Sequence, residues 1–154
     1  MKLPKLLVLS TIKDVSVLYF KSLDHSSEAP PHFFILIPLN QVTCFVVSVI
    51  TSNIDGRWAF YRYNEKAKKS LVAVDNNVFA FLKSQSLIDC NQSKLLTVEE
   101  LVAVIDPDGP FDIKTRELPS YLKEEIIAAV LRSPLIERYI KDLVKKNYRG
   151  KRGA

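Results

Sequence analysis

The chain predicts an α+β fold, a small β-barrel followed by a C-terminal helical pair, and three observations carry that expectation. The two consecutive runs 32–39 and 42–51 are so apolar on both faces that a sheet curled on itself would be needed to cover them. Turn signals recur between strand-like runs through the first two-thirds, Asp55-Gly56 being the strongest. From Thr97 onward the apolar residues fall at helical spacing instead.

Taken in order, residues 13–21 (KDVSVLYFK) alternate Val15, Val17 and Tyr19 with Ser16, Leu18 and Phe20, which predicts a strand covered on both faces. Residues 22–31 form a polar loop whose two prolines hold the chain extended as it leaves. The second strand is 32–39, with Pro38 ending its ladder or marking an edge. Asn40-Gln41 turns the chain into a third strand, 42–51. The cluster 52–56 (SNIDG) is a turn, and 57–63 (RWAFYRY) is read as a fourth strand. A charged turn over 64–70 leads to a fifth strand, 71–74. Asp75 or Asn76 is placed to cap a short helix through Lys83, and 87–90 returns to strand.

Thr97-Val98-Glu99-Glu100 is a capping box opening a helix to about Val104. The run 106–110 (DPDGP) is a hard break. Pro119 or Ser120 then starts a helix to about Arg132. Ser133 as N-cap with Pro134 at N1 predicts a last helix to about Lys146, the two helices packing as a pair over 119–148 on the barrel body of 13–104. A basic tail, 149–154, closes the chain.

A length of 154 residues with 47% hydrophobic and 25% charged residues fits one domain, 1–154, that can bury a core unaided. The net charge of +5 is confined to one end. Residues 1–144 hold as many bases as acids, and the excess lies in Lys145, Lys146, Arg149, Lys151 and Arg152. That end reads either as a solvated terminus or as an arm for phosphates, with Tyr148 available to stack. Cys44 and Cys90 lie inside apolar runs and read first as buried thiols, with a disulfide or a reactive thiol as the other readings. The apolar run 6–9 after Lys2 and Lys5 is too short for a signal peptide, and no segment has the length of a membrane span. The expectation is a cytoplasmic protein without membrane association.

No phosphate loop, zinc-protease helix, paired-cysteine motif or nucleophile elbow is present, so neither a metal nor a cofactor is expected. The richest stretch is 56–69, where Arg57, Arg62, Lys66, Lys68 and Lys69 stand against Glu65 alone, with Trp58, Phe60, Tyr61 and Tyr63 among them. Exposed aromatics beside cations are what single-stranded nucleic acid needs: platforms for bases and charges for phosphates. The same residues on a strand also read as core aromatics with charges guarding an edge. His32 reads either as a structural histidine or as an acid–base group. Thr51 and Ser52 read either as turn formers or as hydroxyls offered to a phosphate.

The order of several pieces resembles the PemK/MazF toxin family over residues 13–104. They are 14–20, Pro31-His32-Phe33-Phe34-Ile35-Leu36, Ile50-Thr51-Ser52, and 82–92 (LKSQSLIDCNQ). The resemblance implies an SH3-like barrel, a homodimer and an antitoxin protein as partner. It also implies metal-independent endoribonuclease activity on single-stranded RNA, with an arginine and a Thr or Ser hydroxyl at the reacting phosphate. The hydroxyl falls on Thr51, beside Ser52. Where the family has Arg-Pro before its second strand this chain has Pro31-His32, so the resemblance leaves the remaining catalytic roles to His32, Arg57 and Arg62. RNA contacts would come from Ser52, Trp58, Tyr61, Lys66, Lys68 and Lys69. The rival expectation is a non-catalytic SH3-like module that binds protein, with Trp58 and the tyrosines as its anchors.

Overall fold

The computed structural model describes residues 4–39 and 44–149. The elements run α1 (Lys5–Ser10), β1 (Ser16–Phe20), β2 (His32–Leu39), β3 (Cys44–Thr51), α2 (Ile54–Phe60), α3 (Glu65–Lys68), β4 (Leu71–Val74), β5 (Ser86–Thr97), α4 (Val98–Val104), β6 (Phe111–Thr115), α5 (Ser120–Arg132) and α6 (Arg138–Val144). A wide π-helical turn, Lys145–Arg149, continues α6. The Asn40-Gln41 turn, the first two residues of the expected third strand, and Gly150 to Ala154 of the basic tail lie outside the described residues.

The fold is α+β, with one antiparallel sheet in the order β4-β5-β3-β2-β1-β6. The sheet is open, so the expected barrel is corrected. The runs that called for closure, β2 and β3, are interior strands of six, which accounts for apolar side chains on both faces without curling the sheet.

The chain divides into two compact units. The first takes residues 1–47 and 94–118. In it β1 pairs antiparallel with β2, Ser16 opposite Leu36 and Phe20 opposite His32, and with β6 on its other side. Leu9, Val17, Leu18, Phe20, Ile35 and Leu101 are among its fully buried side chains. The expected strand 13–21 shortens to β1, because the Asp14 carboxylate accepts the Val15 N–H and its carbonyl accepts the Ser16 hydroxyl, which makes a turn of the entry. The capping box forms as expected. Thr97 Oγ1 accepts the Glu100 N–H at 3.0 Å, and Glu100 Oε1 accepts the Thr97 N–H at 3.0 Å.

The second unit takes residues 48–93 and 119–154. Here β4 pairs antiparallel with β5, Leu71 opposite Asp89 and Val74 opposite Ser86, and α5 packs on β4. Its core includes Ile88, Leu122, Ile126, Ala129 and Val130, with a cluster of Tyr61, Ala67, Leu71 and Leu87 against which Ile54 packs.

Four expectations are corrected in this unit. Residues 57–63 are not a strand but lie in and after α2, because Asn53 caps a helix there: its Oδ1 accepts the Gly56 N–H at 3.1 Å. Gly56 takes no positive φ, so Asp55-Gly56 makes no hairpin turn. Glycine instead leaves room for the cap, since a Cβ at Gly56 would collide with the Asn53 side chain. The charged turn at 64–70 contains α3, capped in the same way by Asn64, whose Oδ1 accepts the Ala67 N–H at 3.0 Å.

Residues 75–83 form turns in place of the expected helix. Asp75 accepts the Asn77 N–H on its side chain and the Phe79 N–H on its carbonyl, but the eleven residues between β4 and β5 include Asn76, Asn77 and Ser84, and one turn is not extended. The last helix starts at Arg138, with Glu137 as N-cap. Ser133 does accept the Leu135 N–H, but its hydroxyl also donates to Asn91 Oδ1 at 2.6 Å, and only a turn follows before the break. α5 stands where the sequence places it, and it packs against α6. Lys145, Lys146 and Tyr148 belong to the helical turn, the Lys123 ammonium lying 5.8 Å from the Tyr148 ring centre.

Candidate nucleic-acid interface

α2 buries none of its seven residues, so packing of its own apolar face does not explain its place. It is held instead by a carboxylate on β5. Asp89 is fully buried, and its Oδ2 lies 3.2 Å from Arg57 Nη1. The Tyr61 hydroxyl donates to the same carboxylate, at 2.9 Å to Oδ2, and the Asn91 N–H donates to Oδ1 at 3.1 Å. Gln92 Nε2 donates to the Tyr61 oxygen at 3.0 Å. Burial pushes the Tyr61 phenol up to about 12; the Gln92 bond pulls it back in part, and the Asp89 charge pushes it further up. The phenol is therefore a proton donor across the physiological range.

With Arg57 and Tyr61 turned to β5, the other aromatics face outward. Trp58 is 41% exposed, Phe60 68% and Tyr63 89%. The Arg62 guanidinium lies 4.8 Å from the Tyr63 ring centre. Lys66 and Lys69 are exposed, whereas Lys68 is paired with Glu65 at 2.8 Å. That pairing holds the exposed Glu65 carboxyl below its ordinary range. Arg132, at the end of α5, adds a cation here: its Nε donates to the Lys69 carbonyl at 2.8 Å. The sequence offers no sign of this, because 63 residues separate the partners.

The sequence-derived candidates thus part company. Trp58, Arg62, Lys66 and Lys69 share an exposed stretch, while Arg57 and Tyr61 anchor it and Tyr61 is withdrawn from stacking. Thr51 is nearly buried, and its Oγ1 accepts the Asn53 N–H at 3.1 Å, which makes it a turn former at the entry to α2; Ser52 is exposed. His32 belongs to the first unit, half-buried at the start of β2, with its ring 5.0 Å from that of His25. The thiols of Cys44 and Cys90 are free and buried, as the first reading of the sequence has them, and burial raises both from their ordinary value.

A cavity of about 190 Å³ opens in the second unit beside the start of α2. Ile54, Val74 and Val78 line it with apolar surface, and Asp75, Gln85 and Ser86 supply polar groups. An apolar slot with a few polar groups at its wall suits a planar heterocycle such as a base. Among the described residues no three His, Cys, Asp or Glu side chains gather as metal ligands, and no helix is long and apolar enough to cross a membrane. No family model, curated protein or solved structure matches the chain.

Proposed function

We propose that the protein binds single-stranded RNA through the surface made by α2, the turn after it and α3. The observation that carries this is the exposure of Trp58, Phe60 and Tyr63 within six residues, with Arg62 against Tyr63 and the Lys66 and Lys69 ammoniums alongside. Three outward rings would cost solvation on a surface with nothing to bind, and each can stack on a base for about 1–3 kcal/mol. The cations would neutralise phosphates between the stacked bases.

Cleavage of the PemK/MazF kind would ask for a free cation and hydroxyl at the reacting phosphate. Arg57 is engaged by Asp89 and Thr51 by the Asn53 N–H, which leaves Arg62 as the exposed guanidinium of α2 and the turn after it. Binding, without an assigned chemical step, is the function we infer.

Trp58 is the single tryptophan of the chain, so its fluorescence reports directly on this surface. Titration with single-stranded RNA should quench it, and the affinity should fall as salt rises. Trp58→Ala and Tyr63→Ala should each weaken binding by about 5- to 150-fold, the equivalent of one lost stack. A salt-independent affinity, or affinities untouched by both substitutions, would refute the proposal and favour a protein partner at the same aromatics. Incubation of the RNA with protein in EDTA reads any cleavage in the same samples.

A further inference from the structure

β6 ends the sheet, with β1 on its inner side. A terminal strand presents alternate N–H and C=O groups on its outer side, ready to pair with another strand. Natural edges of this kind are usually interrupted by proline or a bulge, but residues 111–115 (FDIKT) contain no proline. The alternation along β6 is regular. Phe111, Ile113 and Thr115 are half-buried on one face, and Asp112 and Lys114 are exposed on the other.

Pairing this strand with a second copy about a two-fold axis brings residues of the same face opposite each other. A pairing centred on Asp112 would oppose two carboxylates, and one centred on Lys114 would oppose two ammoniums. A pairing centred on Ile113 sets Asp112 of each copy opposite Lys114 of the partner subunit, and Phe111 opposite Thr115 of the partner subunit. Unlike charges directly opposite stabilise an antiparallel pair and like charges oppose it, so the pattern selects one register of the three. Within one chain the two groups already lie 2.8 Å apart, both on the face where the Lys114 ammonium sits 5.4 Å from the Tyr19 ring centre.

The surroundings of β6 extend the same surface. α1 runs beside it, tied at both ends: the Lys5 ammonium lies 5.6 Å from the Phe111 ring centre, and Arg116 Nη1 donates to Thr11 Oγ1 at 2.9 Å. That helix carries Leu6 and Leu7 at 43% and 56% exposure. Two adjacent leucines facing water next to an open strand edge are apolar area that a second copy would cover. We propose that β6 is a self-pairing edge, and that the protein forms an isologous dimer through antiparallel β6–β6 pairing centred on Ile113. The pairing lies outside the second unit and does not depend on RNA binding.

Sedimentation of the full chain tests it, with far-UV circular dichroism to confirm that each variant is folded. The wild type should be a dimer that dissociates on dilution. Asp112→Lys and Lys114→Asp should each be monomeric, since each puts like charges opposite in the selected register. The double variant Asp112→Lys/Lys114→Asp should recover the dimer. An equimolar mixture of the two single variants should form a heterodimer, because one then presents two lysines and the other two aspartates. A monomeric wild type overturns the proposal, as does a dimer that both single reversals leave intact.

Discussion

Asp89 is the residue on which the candidate interface depends. Its carboxylate collects an arginine, a phenol and a backbone N–H while fully buried, so Asp89→Ala leaves three donors without their acceptor. The expected loss is about 2–4 kcal/mol in urea unfolding, short of the full cost of an orphaned buried ion because Arg57 keeps access to water. The partner Tyr61 gives a pH signature. Its folded value of about 12 lies above the ordinary 10.0, so between those values the folded state binds more protons than the unfolded one. Stability contributed in this way is complete below pH 10 and is lost as pH rises toward 12, by up to about 1.4 kcal/mol per pH unit. Tyr61→Phe should be less stable at neutral pH yet flatter over that alkaline window; an equally steep curve for both proteins would contradict the assignment. Asp89 itself was not legible in the sequence. It sits among Ile88, Cys90 and Leu87 with no charged neighbour, and its partners Arg57 and Tyr61 lie about thirty residues upstream.

At the scale of elements, local chemistry was legible wherever it acted alone. The Thr97 capping box, the whole of β2 and β4, and α5 from Ser120 to Arg132 stand where spacing and caps put them. Thr97→Ala should therefore cost about 0.5–2 kcal/mol, the worth of one N-cap, measured by thermal unfolding. The stretch 54–63 shows where the reading gave out. Its aromatics alternate as in a strand, but Asn53 and Gly56 set a helix start, and the exposed rings need not obey either period because they pack on nothing within α2. The outward placement of Trp58 and Tyr63 matches the nucleic-acid reading of these residues, although the secondary structure presenting them is different. β6 was missed for the opposite reason. Five residues between a DPDGP break and a proline carry too short a pattern to stand out, and pairing with β1 supplies the rest.

For the whole molecule, the path of the chain matters more than any one contact. It passes from one unit to the other between residues 47 and 48, 93 and 94, and 118 and 119, and the first two of these passages fall inside β3 and β5. A strand ladder that loses half of one strand loses its neighbours' hydrogen bonds as well, so neither unit has a boundary at which it can come apart alone. Scanning calorimetry should show one transition, with calorimetric and van't Hoff enthalpies in agreement; two resolved transitions would show that the strands can melt by halves. The same path has a meaning for descent. Most domains are inherited as continuous lengths of gene that recombination can move, duplicate or discard. Here each unit is written in two separated stretches, interleaved with those of the other, and a crossover at either strand would leave both unfinished. The surface that carries Trp58 and the edge that carries Ile113 have therefore been transmitted as a single heritable piece, and neither could have been acquired by this chain without the other's half of the text.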